Sequence, residues 1–303
     1  MKIRIATRLS PLAILQTKEV IKKIQRHDPT CICEIIKIES DGDQTDIPLH
    51  MIGGKGLFVS KLEQALSNQI ADIAVHSLKD VPASLDKKFK IAATLPREEV
   101  ADVLLLRDKL NRSDLSKNLK IATSGPRRKA QLLGINSGFN IVPIRGNIQT
   151  RIDKMTSEKL DGLIVAKAAL NRLKISHPNI YIFTEEEMLP AAAQGAIGIE
   201  VIEENLETKT NNLLKSINDN LTFQATEIER TVVKALQGNC LSPISALCKI
   251  KDQDVELKVR VSNQKGSEFY DQKEIFTLEN KIQALEDCVE KLISNGAKTL
   301  IQN

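Results

Sequence analysis

Lys2-Ile3-Arg4-Ile5-Ala6-Thr7-Arg8-Leu9-Ser10-Pro11 stands near the start of the chain. Its first half alternates apolar residues with charge at a period of two, which marks a strand. A polar turn follows. Ser10 before Pro11 then reads as a helix cap with proline at the first helical position. Ala13, Val20, Ile21 and Ile24 continue at helical spacing. The unit is therefore strand, polar turn, helix. It recurs down the chain, with strand-like runs at Cys31–Ile38, Asp72–Val75, Lys90–Ala93, Val103–Leu106, Lys120–Thr123, Asn140–Ile144 and Gly162–Val165. Helical stretches separate most of them. Strands alternating with helices predict parallel sheets in an α/β fold.

The last stretch breaks this rhythm. Thr222–Leu236 places Ala225, Ile228, Val232 and Ala235 on one helical stripe, with Gly238 as a stop signal. Three strand-like runs follow, near Ser245–Ile250, Val255–Val261 and Phe269–Phe276, and a helix pattern covers Lys281–Ile293. Strands bunched between helices predict a separate α+β unit. Pro96 and Pro190 mark boundaries, because proline rarely sits inside an element. No sequence repeat or low-complexity segment interrupts the chain.

With 303 residues, two or three domains are expected. There is no Trp, and Phe and Tyr together number nine, so the core must be aliphatic. The same shortage argues against binding single-stranded nucleic acid, which relies on aromatic stacking platforms. A net charge of +4 is too mild for a polyanion binder. No apolar run approaches the roughly 20 residues that span a bilayer. Charges interrupt the apolar pattern at the N-terminus, so the expectation is an unexported, cytoplasmic protein. Five cysteines, at 31, 33, 240, 248 and 288, do not make a disulfide framework. Four isolated histidines give no metal-ligand spacing.

Polar, often basic, clusters follow the strands. Thr7-Arg8-Leu9-Ser10 follows the first. His76-Ser77-Leu78-Lys79-Asp80 follows Ile73–Val75. Thr123-Ser124-Gly125-Pro126-Arg127-Arg128 follows the run at 120, and Arg145-Gly146-Asn147, with Arg151 beyond it, follows Ile141–Ile144. Lys167 follows Leu163–Val165, with Arg172 further along that helix. In a parallel sheet such turns gather at the carboxyl ends of the strands, where ligands bind. Arginine pairs with carboxylate or phosphate in bidentate fashion. Any one cluster alone is a cap or a solvated charge. Five in register point to a cleft for a small molecule with several anionic groups. Gly53-Gly54-Lys55-Gly56 is not a phosphate loop, because Gly56 stands where Ser or Thr is required and Leu49 where the first Gly belongs. No dinucleotide fingerprint follows a strand. Asp80 and Cys240 are the acid and the thiol of most interest, although Asp80 also reads as a helix cap or, with Pro82 near, a turn residue, and a lone Cys is more often a small buried hydrophobe than a nucleophile.

Taken in order, these segments resemble the porphobilinogen deaminase (hydroxymethylbilane synthase) family. The resemblance runs from Arg4-Ile5-Ala6-Thr7-Arg8-Leu9-Ser10-Pro11 through Gly53-Gly54-Lys55-Gly56-Leu57-Phe58 and Asp72-Ile73-Ala74-Val75-His76-Ser77-Leu78-Lys79-Asp80-Val81-Pro82. It continues through the Arg127-Arg128 and Arg145–Arg151 turns and Gln194-Gly195-Ala196-Ile197-Gly198-Ile199-Glu200, and ends in Gly238-Asn239-Cys240-Leu241-Ser242-Pro243-Ile244. It implies two α/β domains like the lobes of periplasmic binding proteins, 1–96 with 196–218 and 97–195, plus a smaller α+β domain, 219–303, carrying a cofactor cysteine. Ala196–Ile202 should rejoin the first sheet.

The activity implied is that of a transferase. It condenses four porphobilinogen molecules stepwise into hydroxymethylbilane, with loss of ammonia, for porphyrin and haem synthesis. The cofactor implied is a dipyrromethane held by a thioether to Cys240. Asp80 matches the catalytic carboxylate. Ser77, Lys79, Thr123, Arg127 and Arg128 match cofactor contacts, and Arg8, Ser10, Lys55, Arg145, Arg151 and Arg172 match substrate contacts. No metal, nucleic acid or membrane is implied, and a monomer suffices. The chain departs from the family pattern at Gly125-Pro126, Asn239, Gln149, Ala193 and Glu99-Val100-Ala101-Asp102. Two other readings stay open at this level: a non-enzymatic binder of small anions, which leaves Cys240 and Asp80 without a role, and a weak nucleic-acid binder.

Overall fold

A computed structural model describes residues 1–39, 59–107, 112–239 and 241–302. The chain divides into two compact units, Met1–Glu98 with Gly195–Gln224 and Glu99–Gln194 with Ala225–Asn303.

The first unit is built on a five-stranded sheet in the order β2-β1-β3-β10-β4. These are Lys2–Arg8 (β1), Ile32–Ile38 (β2), Ile73–Ser77 (β3), Phe89–Thr94 (β4) and Ile197–Ile202 (β10). β1 pairs in parallel with β2 and β3. The returning strand β10 runs antiparallel between β3 and β4. It therefore rejoins this sheet as the resemblance implies, in a direction that the reading of parallel sheets missed. Helix α1, Pro11–His27, starts on Ser10, whose side chain accepts the Ala13 N–H at 3.3 Å. It buries Ala13, Gln16, Thr17, Val20 and Ile24, a stripe at helical spacing. Helix α2, Ser60–Ser67, covers the other face with Leu62, Ala65 and Leu66.

The second unit has another five-stranded sheet, ordered β7-β6-β8-β5-β9. Its strands are Asp102–Leu106 (β5), Lys120–Ala122 (β6), Asn140–Val142 (β7), Gly162–Ala166 (β8) and Ile180–Ile182 (β9). β6, β7 and β8 are parallel, and β5 is antiparallel to β8 and β9. Each sheet thus holds its antiparallel strand in the fourth position. β5 and β8 are buried throughout, as expected for strands covered on both faces. Helices Pro126–Ile135 (α3), Ile148–Ser157 (α4) and Lys167–Leu173 (α5) follow β6, β7 and β8.

The rest of this unit is an antiparallel sheet, β11-β12-β13, formed by Ile244–Lys251, Asp254–Ser262 and Phe269–Thr277. Ala246, Cys248, Val255, Leu257, Val259 and Val261 share one core with Ile228 and Val232 and with Leu285, Cys288 and Leu292. The last three come from the helix Lys281–Ser294, and the first two from the helix Asn220–Ala235, within which the division between the units falls. The left-handed residue that ends the latter helix is Gln237, with φ 57°, and not Gly238. Gly238 answers a packing need, since a Cβ there would sit 2.5 Å from Ile244 Cδ1. No helix among the described residues is long and apolar enough to cross a membrane.

Candidate active site

In the first unit, β1 and β3 are parallel neighbours, so Arg8 and Ser77 end up on the same edge of the sheet. Ser77 exchanges hydrogen bonds with Gln16: the Gln16 Nε2 donates to Ser77 Oγ at 2.8 Å, and Ser77 Oγ lies 3.0 Å from Gln16 Oε1. Gln16 is buried, so it holds the hydroxyl from beneath. Leu78–Asp80 then makes a single turn of 3-10 helix, closed by the Val81 N–H on the Leu78 carbonyl at 3.2 Å. Leu78 is buried against β10, and a Cβ on Gly198 would lie 2.8 Å from Leu78 Cδ1. That close approach seats the turn. Lys79 is half-buried and Asp80 exposed. Among the described residues the Asp80 carboxylate has no hydrogen-bond or ion-pair partner. Ser10 lies on this edge too, with its oxygen used as the α1 cap.

His76, one residue before Ser77, is not isolated as its place in the sequence suggests. Its Nε2 lies 2.9 Å from Glu200 Oε2 on β10, and both side chains are buried. Burial, and next the charge of Glu200, raises the pKa of Glu63 on α2 above the ordinary carboxylate value.

In the second unit, the turns after β6, β7 and β8 share an edge because those strands are parallel. Ser124 Oγ donates to the Ile144 carbonyl at 2.6 Å and accepts its N–H at 2.9 Å, which ties the first two turns together. Thr123 Oγ1 accepts the Gly125 N–H at 3.3 Å. Gly125 is the cap position of α3 and offers no side chain to it. Asn147 caps α4 by accepting the Thr150 N–H at 3.0 Å. Arg151 Nε donates to the Gly146 carbonyl at 2.7 Å. Arg145, Arg151 and Arg172 are half-buried, the last in the final turn of α5.

Arg127 and Arg128 converge on Asp102, a residue that the reading of clusters after strands passed over. Asp102 is wholly buried at the start of β5, opposite Ala166 at the end of β8, and so lies on the same edge. Arg127 Nη2 donates to Asp102 Oδ2 at 2.6 Å. Arg128 donates to Oδ1 through Nη2 at 2.7 Å and Nε at 3.0 Å. Arg127 Nη1 also donates to the Leu189 carbonyl at 2.8 Å. Burial lowers the Arg127 pKa, and Asp102 pulls the other way. The guanidinium still stays charged, as arginine does in proteins. One signal in the sequence could have found Asp102: it is the only charged residue in Asp102-Val103-Leu104-Leu105-Leu106, and a buried acid needs a partner.

Two guanidiniums on the helix that follows the Thr123 turn thus share the Asp102 carboxylate. Such a donor set suits a group that carries carboxylates and accepts hydrogen bonds. Lys55 and Cys240 lie outside the described residues. No group of His, Cys, Asp or Glu among the described residues is arranged to hold a metal ion.

Basic turns on the carboxyl edges of two α/β sheets define a class of protein that handles small molecules rich in carboxylate or phosphate. The comparisons with known proteins narrow it. Residues 3–210 match the family model for the porphobilinogen deaminase dipyromethane cofactor binding domain, and residues 223–295 match the porphobilinogen deaminase C-terminal domain. A porphobilinogen deaminase from Clostridium botulinum is 44% identical over 250 residues, covering 82% of this chain and 84% of the relative. One from Listeria welshimeri is 39% identical over 305 residues, covering 99% and 97%. Among solved structures, a TRAP periplasmic solute binding protein from Desulfovibrio salexigens superposes with a TM-score of 0.42 at 12% identity, covering 75% of this chain and 74% of that one. A probable amino-acid ABC transporter extracellular-binding protein from Bacillus subtilis gives 0.43 at 15%, covering 75% and 96%.

The chain belongs to the porphobilinogen deaminase family. Its function is tetrapyrrole synthesis: a transferase reaction that joins porphobilinogen units into hydroxymethylbilane and releases ammonia, with a dipyrromethane as cofactor.

Proposed function

We propose that Asp80 is the catalytic carboxylate of this reaction and that Cys240 carries the cofactor. The observation that carries the first assignment is the Asp80 carboxylate, exposed at the carboxyl edge of β3 on a seated turn and with no partner among the described residues. A porphobilinogen becomes an electron-poor cation as its ammonia leaves. A fixed carboxylate stabilises that charge and accepts the pyrrole N–H. It also manages the proton at the departing amine. The Cys240 assignment rests on its motif in the sequence. Thioether formation there balances as thiol plus aminomethyl group giving the sulfur–carbon bond and ammonia.

The bound dipyrromethane supplies the covalent end from which the chain grows. Thr123, Arg127 and Arg128 hold its carboxylates, and Ser77 and Lys79 are further contacts to it. Arg8, Ser10, Lys55, Arg145, Arg151 and Arg172 take the carboxylates of incoming porphobilinogen. Three domains, 1–96 with 196–218, 97–195 and 219–303, complete the reading. It describes a cytoplasmic monomer that uses no nucleic acid or membrane, and sedimentation of the purified chain tests the monomer.

Asp80 is tested by single-turnover kinetics on Asp80→Asn after its cofactor content has been checked. Loss of one well-aimed electrostatic group costs about 10²–10³ in turnover, and here it should appear at every addition. Condensation at the parent rate by the cofactor-loaded variant would reduce Asp80 to a turn residue. Peptide mapping tests Cys240 and should place the two-pyrrole adduct on that residue alone.

A further inference from the structure

Gln131 lies one helical turn beyond Arg127 and Arg128 on α3 and is 2% exposed. An amide there must find partners on both its ends. Its Nε2 donates to the Leu189 carbonyl at 2.9 Å and to Ser245 Oγ on β11 at 3.1 Å. Its Oε1 accepts the Leu189 N–H at 2.8 Å and Arg260 Nη1 on β12 at 3.0 Å. The Leu189 carbonyl is the one that Arg127 also binds. One side chain therefore links the Arg127–Arg128 helix, the segment at 189 and two strands of the C-terminal sheet.

The joint around it leaves no slack. A Cβ on Gly134 would sit 2.5 Å from Phe269 Cζ. Gly266 has φ +66°, and a Cβ there would sit 2.1 Å from the Ala130 carbonyl oxygen. Arg260 lies over the Phe269 ring at 5.7 Å and is fixed by Asp271 at 2.7 and 2.8 Å. Ser245, the β11 end of the joint, stands five residues after Cys240 in the chain.

We propose that Gln131 is a positioning residue, which sets the register between the helix bearing Arg127 and Arg128 and the strand that follows the cofactor cysteine. The proposal rests on the cofactor reading above. A dipyrromethane fixed to Cys240 at one end and held by guanidiniums at the other needs both anchors at one separation. A misplacement of about 1 Å in such an arrangement costs of order 10²-fold in rate.

The test follows cofactor uptake by the full-length apo chain, made in a host that lacks porphobilinogen and then supplied with it. Intact mass gives the rate of uptake, and circular dichroism gives the folded fraction. Gln131→Met keeps the volume and removes all four hydrogen bonds. It should slow uptake per folded molecule about 10–100-fold. Gly134→Ala wedges the joint against Phe269 and should slow uptake as well. Adding Phe269→Leu, which removes the atoms in the way, should restore it. A lower melting temperature with uptake at the parent rate in Gln131→Met and Gly134→Ala would overturn the proposal. If Gln131→Met does not fold, the Gly134 pair decides in the same terms. A parent chain that takes up no adduct on Cys240 would refute the cofactor reading instead.

Discussion

Asp102 receives Arg127 Nη2 at 2.6 Å from a carboxylate that is fully buried in β5. Because Arg128 binds the other oxygen, that carboxylate keeps two cations in place at the edge where the cofactor's carboxylates are expected. Removing one partner of a buried pair leaves charge uncompensated, at a cost of about 3–5 kcal/mol. Asp102→Asn is therefore expected to lower apo stability by about that amount, as read by urea denaturation. Bound cofactor should recover part of the loss, because its carboxylates replace the missing charge. Equal losses in apo and loaded protein would speak against Arg127 and Arg128 as cofactor ligands.

Ala193 has φ 60° and is wholly buried, and its N–H donates to Glu229 Oε2 at 2.6 Å. Glu229 Oε1 also accepts the Cys248 N–H at 2.8 Å, so the carboxylate pins the turn to β11. Left-handed backbone costs an L-residue roughly 1–2 kcal/mol, and a β-branched residue more. Ala193→Gly should melt no lower than the parent. Ala193→Val should melt well below it. A thermal melt of the pair decides, and equal melting of both variants would contradict the strained turn.

Glu185 accepts from Lys249 at 2.5 Å and Lys258 at 2.9 Å, between the 183–186 segment and the C-terminal sheet. Burial has the largest single effect on its pKa and raises it. The hydrogen bonds and charges of the two lysines together outweigh burial, and the pKa falls below 4.5. A depressed acid contributes stability above its unfolded pKa and loses it as pH falls through the folded value. The parent should therefore lose stability more steeply than Glu185→Gln as pH drops below about 4.5. Melting curves from neutral to acid pH measure the difference, and parallel curves would contradict it.

What the sequence made legible was set by local chemistry. Ser10-Pro11 announced α1 because cap and proline act within one turn. The alternation in Val255–Val261 announced β12 because one of its faces is buried and the other is not. Direction is a property of the pair of strands, so the antiparallel courses of β5 and β10 could not be read from either alone. The short β9 escaped for a similar reason, since three residues carry too little period. In the candidate site, the basic turns were legible because they follow strands. Asp102, Gln131 and the Glu200 partner of His76 were not, because each is defined by a residue far away in the chain.

The arginines should divide by task. Arg127 and Arg128 share one buried aspartate. Losing either removes one of the two guanidiniums that bind Asp102, and leaves one fewer cation for a cofactor carboxylate. Arg172 lies in the last turn of α5, seven residues long, and so sits several ångströms along its helix from the end of β8. That distance suits the growing chain better than the fixed cofactor. Arg128→Leu is expected to give protein with little cofactor. Arg172→Leu is expected to give cofactor-loaded protein that stalls with partly elongated chains. Native mass spectra after a short exposure to porphobilinogen separate the two, since each added pyrrole shifts the mass by one unit of chain. Stalled species should be abundant in Arg172→Leu and scarce in Arg128→Leu, where the apo mass should dominate. Matching spectra from the two variants would show that both arginines serve the same ligand and that the division is wrong.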